Sequence, residues 1–219
     1  MCSTIRLAPF LLIFFLSSCS SVFLSLPTVA DEKVERYVNV IAGEIVAVSE
    51  HRELWANYQI RLADFARRDI LGLSIGNQRI FISYDLARLA YRNRDYRWLL
   101  RHTLAHEIAH DVLGGDAAAP EHGGNHGTGL ANRITGRDLG LSSLITFRSY
   151  SRSAELAADR RAMEYWQKLG WDCTHWVRLF ANFVEQGYAG DVDHPTQERL
   201  EQAIQICSQQ VLARASLQQ

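Results

Sequence analysis

The segment His106-Glu107-Ile108-Ala109-His110 sets two imidazoles four residues apart. On an α-helix that spacing puts both on one face, where they can offer two nitrogens to one metal ion, with Glu107 beside them and not itself a ligand. A catalytic zinc site needs a third protein ligand and an open fourth position. The metzincin arrangement would place a glycine at 113 and a histidine at 116, but Leu113 and Asp116 stand there, so that class is excluded. A carboxylate on a later helix or a histidine from a glycine-rich stretch remains. Glu155 and Asp159 within Ser151 to Asp159 decide between them. They too are four apart, so one helix face presents one carboxylate for the metal and a second that orients a ligating imidazole from outside. His102, one turn before His106, is a poor candidate, because a third imidazole on the same straight helix sits too far from a tetrahedral centre.

The elements that must position these groups follow from periodicity. Val34, Tyr37, Val38, Ile41, Ile45 and Val48 recur at helical spacing. Tyr58 to Leu62 alternates with period two, Ile70 to Ile75 reads as a second short strand, and Gly76-Asn77 turns into a third at Arg79 to Ile82. Helical spacing resumes at Asp85 to Tyr91 and Tyr96 to Leu113, the latter striped by Leu100, Leu104, Ile108 and Val112. Eight of the 14 glycines fall between Gly114 and Gly140, so residues 114–148 read as a long mobile loop carrying His122 and His126, which are solvated or bind a second ion. Three helices follow, over Ser151 to Leu169, Thr174 to Glu185 and Thr196 to Ala213. The expected fold is α+β, predominantly helical, with a small antiparallel sheet packed beside the His-Glu-x-x-His helix.

His106-Glu107-x-x-His110 followed by Ser151-Arg152-x-x-Glu155-x-x-Ala158-Asp159 resembles the signature of the HtpX-like zinc metallopeptidases, the gluzincins that include the CAAX prenyl proteases. The resemblance extends over about residues 34–205. Gln78 to Ser83 is similar to the family's strand before the active-site helix, and His194-Pro195 with Arg199 is similar to its C-terminal motif. The interval from His110 to Glu155 is short for the family, and Arg199 lies one residue nearer to His194 than in the commoner spacing. Beside the motif reading, Arg199 can equally be a solvated helix residue near Glu198 and Glu201. The resemblance implies a zincin-like domain with one Zn2+ held by His106, His110 and Glu155, and Glu107 as general base. It places His194 at the cleft, where it stabilises the transition state or caps the metal. Zinc-dependent hydrolysis of peptide bonds is the expected activity, with an extended substrate along the Arg79 to Ser83 strand. A chaperone or assembly factor on the same scaffold and a zinc amidase acting on cell-wall peptides are the alternatives.

The rest of the chain sets a compartment. It has 219 residues, with 23 Lys plus Arg against 24 Asp plus Glu and no basic run, so nucleic acid is not an expected partner. Arg6 precedes the apolar run Leu7 to Leu16, which is too short to span a bilayer and ends at Leu16-Ser17-Ser18-Cys19. This resembles a bacterial lipobox. It implies a signal peptide over residues 1–18, lipid on Cys19, a linker to residue 30 and a peptidase domain over 31–219. Ser20 in place of an aspartate leans towards the outer membrane, on the periplasmic face, with envelope polypeptides as substrates and envelope assembly machinery as a possible partner. In that oxidising compartment Cys173 and Cys207 are a candidate disulfide; otherwise they are small buried hydrophobes.

Overall fold

Asp31 starts the first helix, α1 (Glu32–Val48), by accepting the Val34 N–H at 3.2 Å, and Glu32 and Glu35 in the first turn suit its positive end. Its apolar stripe buries Val38, Ile41, Ile45 and Val46. The computed structural model describes residues 27–65, 70–114, 150–187 and 195–216. Within them the chain is mostly helical with one three-stranded sheet, an α+β arrangement. Cys19, His122, His126 and His194, the leader over residues 1–18 and nearly all of the 114–148 segment lie outside the described residues. No helix among the described residues is long and apolar enough to cross a membrane.

The strands are β1 (Gln59–Ala63), β2 (Gly72–Ser74) and β3 (Arg79–Ser83), ordered β1-β3-β2. The expected all-antiparallel sheet is corrected to a mixed one. β2 and β3 form a hairpin, with Leu73 opposite Phe81, but β1 runs parallel to β3, with Ile60 opposite Ile80. Period-two alternation records which face of a strand is buried and carries no information on the direction of its neighbour. The hairpin turn uses positive φ at Gly76, Asn77 and Gln78. β1 is covered on its far side, where Thr28 bridges Ala63 and the Val29 N–H donates to the Leu62 carbonyl at 3.0 Å. The end of the expected linker is therefore part of the sheet. β3 is central, which removes it as the strand that takes an added substrate strand, because both of its edges are paired.

Helices α2 (Tyr84–Arg92) and α3 (Arg97–Val112) follow, joined by a short 3-10 turn. After the central segment come α4 (Arg152–Lys168), α5 (Thr174–Glu185) and α6 (Thr196–Ser216). α3 packs between α1, α4 and β2, and almost every side chain from Leu100 to Asp111 is buried. Leu100, Leu104 and Ile108 are wholly enclosed, each contributing about 1.5–3 kcal/mol of burial. Ile80 and Ile82 meet this core, while Phe81 joins Phe65 on the other face. Trp166, Trp176 and Phe180 fill the space between α3, α4 and α5.

Cys173, at the start of α5, is bonded to Cys207 on α6, with the Cα atoms 5.5 Å apart and a sequence separation of 34. Both residues are buried, and the bond replaces their reading as two separate small hydrophobes. Closing a loop of that length stabilises by about 3–4 kcal/mol on the chain-entropy account. The Cys173→Ala/Cys207→Ala double variant should lose that amount in urea unfolding while keeping its helical circular dichroism. A loss under about 1 kcal/mol would show that the α5–α6 pair needs no covalent closure.

Candidate metal centre

α3 and α4 cross where His106 and His110 face Glu155, and all three side chains are buried. His106 Nε2 lies 3.1 Å from one Glu155 oxygen, His110 Nε2 lies 3.1 Å from the other, and the two Nε2 atoms are 3.0 Å apart. This group could hold a metal ion. Glu155 reaches it from the first turn of α4, whose start is set by Ser151 accepting the Ala154 N–H at 3.3 Å. Arg152, three residues before Glu155, bonds to Glu198 through its Nε at 2.7 Å, an exposed pair that contributes little.

Asp159 stands one turn beyond Glu155 and is 1% exposed. His106 Nδ1 is 2.8 Å from its Oδ1; because an ionised carboxylate only accepts, Nδ1 carries a proton, and Nε2 is the nitrogen left facing Glu155 as a ligand for an ion. Arg199 from α6 completes the chain of contacts, its Nε donating to Asp159 Oδ2 at 2.5 Å and its Nη2 to Oδ1 at 2.7 Å. The solvated reading of Arg199 is thereby corrected, since its side chain is 11% exposed and lies over the Phe180 ring. Burial alone would raise the Asp159 pKa, but Arg199 and His106 outweigh it and hold the carboxylate well below its usual range. Burial likewise opposes a charge on His106, yet Glu155 and Asp159 raise its pKa to about 10. A cation entering the site displaces that proton, so binding strengthens as pH rises.

Glu107 reaches β2. Its Oε2 accepts the Ser74 N–H at 2.7 Å, on the side of β2 that faces away from β3. Gly72 makes this approach possible. A Cβ there would lie 2.7 Å from Thr103 Cγ2 and 2.8 Å from Glu107 Cγ. One residue past His110, Asp111 ties the same sheet to α3: its Oδ1 accepts the Gln78 N–H at 2.9 Å and its Oδ2 the Tyr58 hydroxyl at 3.0 Å, with His51 Nδ1 at 3.2 Å. Burial and Asp111 push the Tyr58 hydroxyl pKa up. Gly72, Ser74, Asp111 and Tyr58 escaped sequence reasoning. For Asp111 the available signal was a charge directly after His110 on a helix otherwise striped as core.

His102 is not part of the donor group. It is buried against Trp176, with ring centroids 4.3 Å apart, and against Phe180, and burial depresses its pKa to about 3. The described residues bring together His106, Glu107, His110, Glu155 and Asp159. Comparisons of the chain with protein-family models and with curated proteins gave no match.

Arg199 holds Asp159 at two points, a hold that an ammonium group cannot reproduce. Arg199→Lys should therefore weaken metal binding by about 10- to 100-fold, the usual cost of losing an outer partner. Competition titration against a chromophoric chelator reads the change. An unaltered affinity would make the Arg199–Asp159 pair a fold contact alone.

Proposed function

We propose that this chain is a zinc-dependent metalloendopeptidase of the HtpX-like, zincin-fold class, acting on unfolded or misassembled cell-envelope polypeptides. The observation that carries the reading is the convergence of two imidazole nitrogens and one carboxylate, with a second carboxylate, Glu107, on the same helix turn. The donor set suits zinc: the two imidazole nitrogens are 3.0 Å apart and each is 3.1 Å from one or other Glu155 oxygen, near the about 3.3–3.4 Å that separates ligand atoms in a tetrahedron with bonds of about 2.0–2.1 Å. All-oxygen cations are disfavoured by two nitrogens among three donors. Held there, zinc would supply a Lewis acid that polarises a scissile carbonyl and acidifies a water.

The chain's own residues supply the remainder. Asp159 and Arg199 keep the Nε2 lone pair of His106 directed inward. Ser74 holds Glu107 Oε2, which leaves Oε1 to take a proton from the attacking water and return it to the leaving amine. The substrate is an extended polypeptide beside Glu107, recognised through its main chain, which tolerates many sequences and suits a substrate class defined by being unfolded. The Cys19 lipobox and the signal-like run before it support a lipid-anchored place in the envelope, on the periplasmic side and at the outer membrane.

Glu107→Gln should keep one zinc per chain and lower casein cleavage by at least about 100-fold. Glu155→Ala should lose the zinc itself. Near-wild-type cleavage by the first variant would remove Glu107 as the base, and full zinc retention by the second would remove Glu155 as the third ligand.

A further inference from the structure

The two imidazoles of the donor group are held by unlike means. His106 has Asp159 behind it at 2.8 Å. Among the described residues no carboxylate does the same for His110. Instead, the Tyr150 ring lies face to face on the His110 ring, with centroids 3.6 Å apart and planes 17° from parallel, while the His106 and His110 rings are nearly perpendicular, with centroids 4.5 Å apart and planes at 88°. Tyr150 directly precedes Ser151, the residue that starts α4, so the same helix start that delivers Glu155 delivers this ring.

We propose that Tyr150 is a positioning residue that fixes the His110 imidazole by stacking and so sets how tightly the centre keeps its ion. The proposal rests on the metal reading above and concerns a different residue. Two physical effects act together. The stack restricts rotation of His110 about its terminal torsion, which is otherwise broad, so Nε2 stays turned towards Glu155. A ligating imidazole also takes on part of the ion's positive charge, and the electron-rich face of a phenol ring stabilises that charge more than it stabilises the neutral ring. Both effects come from the ring and not from the hydroxyl. Tyr150→Phe therefore keeps them, and an aliphatic residue loses them.

Zinc-loaded full-length protein mixed with excess chromophoric chelator gives the rate of zinc release directly, and cobalt substitution gives the visible spectrum of the ligand field. Tyr150→Leu should release zinc about 3- to 10-fold faster than wild type and shift the cobalt bands, whereas Tyr150→Phe should stay within twofold of wild type with unshifted bands. Tyr150→Met, which keeps bulk without a ring, should follow Tyr150→Leu, and far-UV circular dichroism establishes that each variant is folded. Wild-type release from both aliphatic variants would overturn the proposal. So would release from Tyr150→Phe as fast as from Tyr150→Leu, which would assign the effect to the hydroxyl. A wild-type chain that takes up no stoichiometric zinc would instead bring down the metal reading, and this proposal with it.

Discussion

Asp159 is a carboxylate with almost no access to water, and the arrangement of three helices follows from the need to compensate it. An isolated buried charge costs several kcal/mol, so the Asp159 position is tenable only with Arg199 on one side and His106 on the other. α4 provides the carboxylate, α6 the guanidinium and α3 the imidazole. The pairing thus sets where α6 docks against α4 and, through the proton on Nδ1, which nitrogen of His106 faces Glu155. The disulfide between α5 and α6 and the seat of Arg199 on Phe180 act on the same junction from outside.

The sheet is fastened to the same helix by a second set of buried acids. Glu107 accepts from Ser74 and Asp111 accepts from Gln78, so the turn end of the β2–β3 hairpin is pinned to α3 on both sides of the turn through main-chain N–H groups. Three consecutive residues with positive φ in that turn are tolerated because Asp111 and the hairpin pairing hold them. The close approach at Gly72 brings the outer strand to the carboxylate that serves as base in the proposed mechanism. In this design the donor group and the anchor of the hairpin come from neighbouring turns of one helix.

Much of this was legible in the amino-acid sequence where the signal is local. The spacing of four between His106 and His110, and between Glu155 and Asp159, survives folding because each pair sits on one helix. Helix extents were read to within a few residues for the same reason, since apolar periodicity reports the buried face directly. Strand direction was misread because a parallel partner is a property of the whole sheet. For Arg199 the sequence left a motif residue and a solvated residue beside Glu198 and Glu201 equally open, and only the docking of α6 on α4 shows that its face is turned inward. Gly72 and Tyr150 have no local pattern at all. Their roles exist only once β2 lies on α3 and the start of α4 lies on His110.

The central claim is that His106, His110 and Glu155 form one mononuclear nitrogen–oxygen centre for zinc. Zinc K-edge X-ray absorption on the purified full chain tests it most directly. The account predicts a first shell of four nitrogen or oxygen atoms at about 2.0–2.1 Å, with the outer-shell scattering of two imidazoles and no sulfur. A sulfur shell near about 2.3 Å, or scattering that fits no imidazole, would contradict it.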